Sequence, residues 1–237
     1  MTRLEKLELF IPEYHTFPFE AAFRQENVFS PRVDFLAVGP YSDFVVPLCP
    51  NVTTIATSSL QWLHCKRSNK GELPSEHSLR LIEVLGGASK LTHLAMFEWW
   101  NVGLLEATLV AVPDLLSLSM ECSSYHDRLM ELLPILSRFN NLQYLALTSA
   151  FSLKVTDFQP PWCGNAYYGR NGDQLRQRVE EEQEKATKLV VQMVFPVCRK
   201  LKVLWIGGRQ RAEVRRTEEG DVAGITWTAG VRQDLCE

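Results

Sequence analysis

Along this chain, large apolar side chains recur at the first, fourth and sixth positions of a six-residue pattern. Three copies stand close together: Leu91-Thr92-His93-Leu94-Ala95-Met96, Leu115-Leu116-Ser117-Leu118-Ser119-Met120 and Leu142-Gln143-Tyr144-Leu145-Ala146-Leu147. Each follows a polar, turn-like lead-in: Ala88-Ser89-Lys90, Pro113-Asp114 and Asn140-Asn141. The spacing extends outward to Leu4-Leu7-Leu9, Val33-Leu36-Val38, Val52-Ile55-Thr57 and Leu201-Leu204-Ile206. Thr57 weakens the third copy, because its sixth position is polar. The middle apolar residue falls at 7, 36, 55, 94, 118, 145 and 204, so successive copies lie 29, 19, 39, 24, 27 and 59 residues apart.

Each copy reads as a short strand. Its fourth and sixth positions share one face by period two and point inward, while the third and fifth point the other way. Parallel neighbours need a crossover between them, and the intervening segments have helical apolar spacing. Glu76 to Leu85 carries Leu79, Ile82 and Leu85, stopped by Gly86-Gly87. Gly103 to Val112 carries Leu104, Leu105 and Leu109, stopped by Pro113. Asp127 to Phe139 carries Leu129, Leu132, Leu133, Leu136 and Phe139, with Ser123 and Ser124 as N-cap candidates.

Gln174 to Phe195 predicts one long helix, supported by Arg176/Glu180, Arg178/Glu182, Glu181/Lys185 and Glu184/Lys188 pairs at i,i+4. Pro12 to Ser30 predicts an irregular or short helical crossover, and Trp62 to Pro74 an exposed loop. Arg211 to Thr217 and Gly224 to Thr228 flank Glu218-Glu219-Gly220-Asp221, which predicts a terminal β-hairpin anchored by Val222, Ile225 and Trp227.

The copies at Leu91, Leu115, Leu142 and Leu201 resemble the LxxLxL core of leucine-rich repeat proteins. The irregular spacing and aromatic loops are similar to the repeat regions of F-box/leucine-rich repeat proteins of filamentous fungi. The resemblance implies an α/β fold: an irregular leucine-rich repeat solenoid with parallel strands on the concave side, helices and loops on the convex side, and a C-terminal β-hairpin cap. The resemblance runs from about Leu4 to Trp227, and the expected domain spans residues 1–237, with an insertion over 150–198 and the cap over 208–230. In that family the repeat region selects a target for ubiquitination, while an F-box docks the cullin-RING adaptor. Two departures stand out. The asparagine or cysteine that follows the last leucine of a regular repeat is replaced by Pro12, Tyr41, Leu60, Trp99, Ser123, Ala150 and Arg209. No F-box precedes Leu4, so adaptor and cullin are expected partners only if an F-box exists outside this chain.

Composition narrows the function further. The chain has 237 residues, 46% of them apolar, which suffices for a substantial core. Its formal net charge of −3 argues against nucleic acid as a partner. A basic-aromatic patch at Arg209, Arg211, Arg215 and Arg216 with Trp205 and Trp227 is interleaved with Glu213, Glu218 and Glu219. No apolar run approaches the ~18–20 residues of a membrane helix, and the charged start lacks a signal-peptide core. Six scattered cysteines without a CxxC pair suggest a reducing cytoplasmic or nuclear setting.

Walker, GxSxG and HExxH motifs are absent, and the five histidines lack metal-ligand spacing with one another. The expectation is therefore a non-enzyme with no cofactor and no catalytic or metal-ligating residue. Its partner is another protein, contacted by the concave face. The alternative is a stand-alone scaffolding repeat protein with no ubiquitin role. The candidate contact residues are His93, Phe97, Glu121, Gln143, Thr148 and Trp205 on the strands, with the aromatic insertion loop carrying Trp162, Tyr167 and Tyr168 as the alternative contact, whose folding back onto the concave face would account for its aromatics.

Overall fold

A computed structural model describes residues 5–11, 13–26, 32–57, 76–98, 100–121, 128–161, 164–207 and 210–229. The architecture is α/β, with an open, mostly parallel sheet of nine strands in sequence order. The strands are β1 Lys6–Leu9, β2 Phe35–Val38, β3 Thr54–Thr57, β4 His93–Phe97, β5 Ser117–Glu121, β6 Tyr144–Leu147, β7 Val203–Ile206, β8 Gln210–Arg216 and β9 Val222–Ala229. The first seven run parallel, and β8 and β9 turn antiparallel on the end of the sheet.

The register follows the apolar pattern residue for residue. Leu7, Leu36, Ile55, Leu94, Leu118, Leu145 and Leu204 lie directly opposite one another across seven strands. All but Leu7 are essentially inaccessible. The first positions Val33, Val52, Leu91, Leu115, Leu142 and Leu201 are buried as well. A one-residue slip would turn this entire set to the other face, so burial fixes the register.

Backbone hydrogen bonding repeats with the same phase. The carbonyl two residues before each middle apolar residue accepts two amides from the next unit. Glu5 O receives Asp34 and Phe35, Asp34 O receives Thr53 and Thr54, and Thr53 O receives Thr92 and His93. Thr92 O, Leu116 O and Gln143 O do the same for the next three strands, at 2.8–3.1 Å. The polar lead-ins add side chains to this edge. Lys90 Nζ donates to Asn51 Oδ1 at 2.6 Å, Asn141 Nδ2 to Asp114 Oδ1 at 2.9 Å, and Lys200 Nζ to Asn141 Oδ1 at 2.9 Å. Each of these residues stands four places before its middle apolar residue. Amides and carbonyls that would be costly to bury unpaired are thus satisfied in the same way from unit to unit.

The helices are α1 Glu13–Gln25, α2 Glu76–Leu85, α3 Val102–Ala111, α4 Leu129–Leu136 and α5 Gly169–Val197. A 3-10 turn at Asp43–Leu48 forms the crossover between β2 and β3. Neighbouring helices from α2 to α5 pack side by side in chain order. Their apolar stripes meet the fourth and sixth strand positions in one core, where Leu81, Leu85, Leu105, Leu132, Val190 and Phe195 are buried. Pro12 to Ser30 contributes a regular helix, α1, despite Pro18 within it. The start of α3 is set by Asn101, whose Oδ1 accepts the Leu104 amide at 2.8 Å. The Glu131 carboxylate accepts the Arg128 amide at 3.0 Å at the start of α4. Ser123, Ser124 and the stretch Trp62 to Pro74 lie outside the described residues.

Two expectations need correction. Of the four ion pairs anticipated on α5, Lys188–Glu184 forms at 2.6 Å, but Lys185 reaches Glu182, Arg176 reaches Asp173, and Arg178 lies over the Phe158 ring. Exposed helical side chains choose among several partners of similar energy. On the hairpin, Val222 and Trp227 remain 36% and 42% exposed, whereas Ala212 is fully buried. Ala212 pairs directly with Leu204 and so sits over the core, while β9 lies one strand farther out. Gly207, at φ 63°, ends β7, and Gly220, at φ 91°, turns the hairpin.

Candidate functional site

Because the core takes the fourth and sixth positions, the third and fifth positions form the opposite, helix-free face among the described residues. One row across it reads Lys6, Phe35, Thr54, His93, Ser117, Tyr144, Val203 and Glu213. The next reads Glu8, Ala37, Ala56, Ala95, Ser119, Ala146, Trp205 and Arg211. The second row has small side chains over five consecutive strands, of which Ala37, Ala56, Ser119 and Ala146 are buried and Ala95 is half-buried, followed by Trp205 and Arg211. Lys6 Nζ lies 4.8 Å from the centre of the Phe35 ring. At the other end the Arg211 guanidinium lies 5.7 Å from the Trp205 ring and 2.6 Å from Glu213 Oε1.

Several anticipated contact residues share this face. His93 and Phe97, from β4, are half-buried, as is Trp205 from β7. His93 Nδ1 is 2.8 Å from Thr92 Oγ1. Burial lowers its pKa, partly countered by a backbone hydrogen bond to Thr53. The Phe97 amide donates to Thr57 Oγ1 at 2.8 Å. That contact gives the polar sixth position of the third copy a use. Thr148, just past β6, is half-buried, and its carbonyl accepts the Gly207 amide at 3.3 Å. The Glu121 backbone pairs with Phe97; its side chain lies outside the described residues.

Gln143 belongs elsewhere. Strand alternation places Tyr144, 43% exposed, between Ser117 and Val203 on the open face. Gln143 sits at the lead-in edge and lines a shallow pocket of about 440 Å3 with Arg199, Lys200, Leu201, Lys202, Val214 and Arg216. Tyr144 was detectable as the third position of its six-residue pattern.

The insertion does not return to the open face through its described contacts. Phe158 meets Phe151, at 5.7 Å between ring centres, and Arg178 of α5. Leu153 is buried in the core on the helix side, and its carbonyl accepts the Leu129 amide of α4. Tyr167 donates to Pro161 O at 3.2 Å and accepts from Arg176. Tyr168, 77% exposed, begins α5. Trp162 and Cys163 lie outside the described residues. The first turns of α5 supply the partners of Phe158 and Tyr167, Arg178 and Arg176 respectively.

The basic-aromatic patch also divides. Arg211 joins Trp205 on the open face. Arg216 turns to the helix side and caps the end of α5, donating to Phe195 O at 3.0 Å, Cys198 O at 2.9 Å, Leu201 O at 3.3 Å and Gly220 O at 3.0 Å. Desolvation lowers its pKa. Arg209 lies outside the described residues.

One buried polar pair escaped the sequence reading. Glu98 and Ser78 are both inaccessible, and the Ser78 hydroxyl donates to the Glu98 carboxylate. Continuing the alternation of Leu94 and Met96 one step past β4 would have placed Glu98 inward. Trp100 is likewise buried, its Nε1 donating to Met96 O at 3.4 Å; Trp99 lies outside the described residues. Cys49 and Cys198 are buried free thiols, with pKa values raised by burial to about 11 and about 12.

Among the described residues no group of three or more His, Cys, Asp or Glu is placed to hold a metal ion, and no helix is long and apolar enough to cross a membrane. Comparison with protein-family models, curated proteins and solved structures found no match to this chain.

Proposed function

We propose that the chain is a non-catalytic protein-binding module, built as an irregular leucine-rich repeat solenoid whose helix-free sheet face receives a partner. The observation that carries this reading is the placement of Phe35, Tyr144, Trp205 and Arg211 on that face, in or beside a row of small residues. Tyrosine, tryptophan and arginine are the side chains that most often dominate protein interfaces, because each joins a large contact area to a polar group. The shallow, extended form suits a protein surface better than a small molecule, which needs an enclosing cavity. The seven-strand register and its repeated carbonyl junctions support the solenoid part of the reading.

Substitution at the exposed Tyr144 and the half-buried Trp205 and Ala95 tests it. Trp205→Ala and Tyr144→Ala should each weaken partner capture while leaving the thermal midpoint within a few degrees. Ala95→Arg should do the same by filling the row of small residues. Unfolding of the tyrosine and tryptophan variants would reassign those side chains to the fold's own packing. A role in ubiquitination belongs to this proposal as the target-recognition half of an F-box-type ligase subunit. Affinity capture from cells would enrich a cullin and its adaptor under that role. Their absence alongside other reproducible partners would favour a scaffold without a ubiquitin connection.

A further inference from the structure

The pocket at the lead-in edge of β7 presents cations and, among the described residues, no carboxylate. Arg199, Lys200, Lys202 and Arg216 surround the half-buried Val214, and Gln143 and the buried Leu201 complete the lining. A helix C-terminus attracts positive charge, since its last carbonyls carry about half a negative charge. Here that demand is already met, because Arg216 donates to the Phe195 and Cys198 carbonyls at the end of α5. Lys200 is engaged by Asn141 in the lead-in ladder. Arg199 and Lys202 are exposed and form no ion pair among the described residues. Two cations therefore stand beyond what the fold uses, on a chain with a net charge of −3. The Nε of Arg216, a residue that lines the same pocket, is a buried donor without a partner among the described residues.

We propose that this pocket binds an anionic peptide segment of a protein partner, with carboxylates or a phosphoryl group between Arg199 and Lys202 and an apolar side chain against Val214. The site is separate from the open sheet face and extends the protein-binding reading without depending on that face. Carboxylate and phosphoryl oxygens are the acceptors that guanidinium and ammonium donors hold most strongly.

Fluorescence anisotropy on the purified full chain tests the proposal directly. The probes are a short labelled Asp/Glu-rich peptide, the same peptide with phosphoserine in place of its acidic residues, and an uncharged Gln/Ser version. The expected result is saturable binding of one or both acidic probes and none of the uncharged probe. Raising the salt from about 0.05 to about 0.3 M should weaken it. The double variant Arg199→Glu/Lys202→Glu should weaken it about tenfold or more. Arg80→Glu, a charge reversal on α2, should leave it unchanged. Tighter binding of the phosphorylated probe identifies phosphate as the source of the anion, and equal binding identifies carboxylates. The absence of saturable binding by either probe overturns the proposal, as does an equal loss with Arg80→Glu. Neither failure touches the open-face reading, which is measured by partner capture.

Discussion

Replacing Arg216 with methionine should destabilise the chain by about 2–3 kcal/mol. The magnitude follows from what the guanidinium holds. It contacts four carbonyls: Nη1 donates to Gly220 in the hairpin turn, and Nη2 shares its two hydrogens among Phe195 and Cys198 at the end of α5 and Leu201 at the entry to β7. Hydrogen bonds from a charged donor are each worth roughly 1.5–3 kcal/mol net. Two effects reduce the sum. The side chain is only half-buried, so water regains some of the freed carbonyls. The depressed pKa of Arg216 also shows that its desolvation is not fully repaid, and an apolar replacement recovers that cost. The carbonyls themselves remain, so a loss persists. For a chain of this size roughly 2–4 °C accompanies each kcal/mol, which predicts a fall in the thermal midpoint of roughly 4–12 °C. Urea unfolding followed by far-ultraviolet circular dichroism measures it, with an unchanged slope as the sign of an intact two-state transition. Arg216→Lys keeps the charge and offers three donors from one nitrogen, but gives up the separate Nη1 bond to Gly220, so it should restore part of the loss. Stability of the methionine variant within about 0.5 kcal/mol of the parent would refute the capping role.

Three further outcomes are expected. Leu118→Ala, at the centre of the seven-strand row, should cost about 2–5 kcal/mol in a denaturant titration, since the site is closely packed on all sides. His93 has a pKa below its ordinary value near 6.5, so the unfolded chain binds more protons than the folded one between the two values. Stability should therefore fall as the pH drops from 6.5 through that window, and His93→Asn should flatten the slope of midpoint against pH. At mildly alkaline pH, Cys49 and Cys198 should resist iodoacetamide in the folded chain and react once it is unfolded, because burial holds both as neutral thiols; peptide mass mapping reads each site.

The strand register was legible because burial of Leu36, Leu94 or Leu145 enforces a strict two-residue alternation that appears directly in sequence. The ends of the helices were legible where the signal is local, as at Gly86-Gly87 after Leu85. The open face was legible wherever alternation was followed strictly, which is why His93, Phe97 and Trp205 fall on it and Gln143 does not. The long-range choices were not legible. Arg216 sits among exposed charges in sequence, and only the return of the hairpin beside α5 sets it against Cys198. Phe158 and Tyr167 could have packed on either side of the sheet, and contact with Arg178 and Arg176 on α5 decided it. Glu98 reads as a surface charge until the direction of the preceding strand is carried one residue further.

The repeated junction at the start of each strand has a consequence for how this chain can vary. One carbonyl and two amides complete the joint, whether 19 or 59 residues separate the middle residues of the two strands. Loop closure grows only as about (3/2)RT times the logarithm of length, so the longest spacing costs roughly 1 kcal/mol more than the shortest. Inserting new sequence into a crossover therefore leaves the pairing beyond it intact, whereas adding or deleting a single residue between a lead-in and its strand shifts every side chain that follows to the wrong face. Length is free on the helix side and quantised on the sheet side, which makes the crossovers the natural place for this chain to acquire new material.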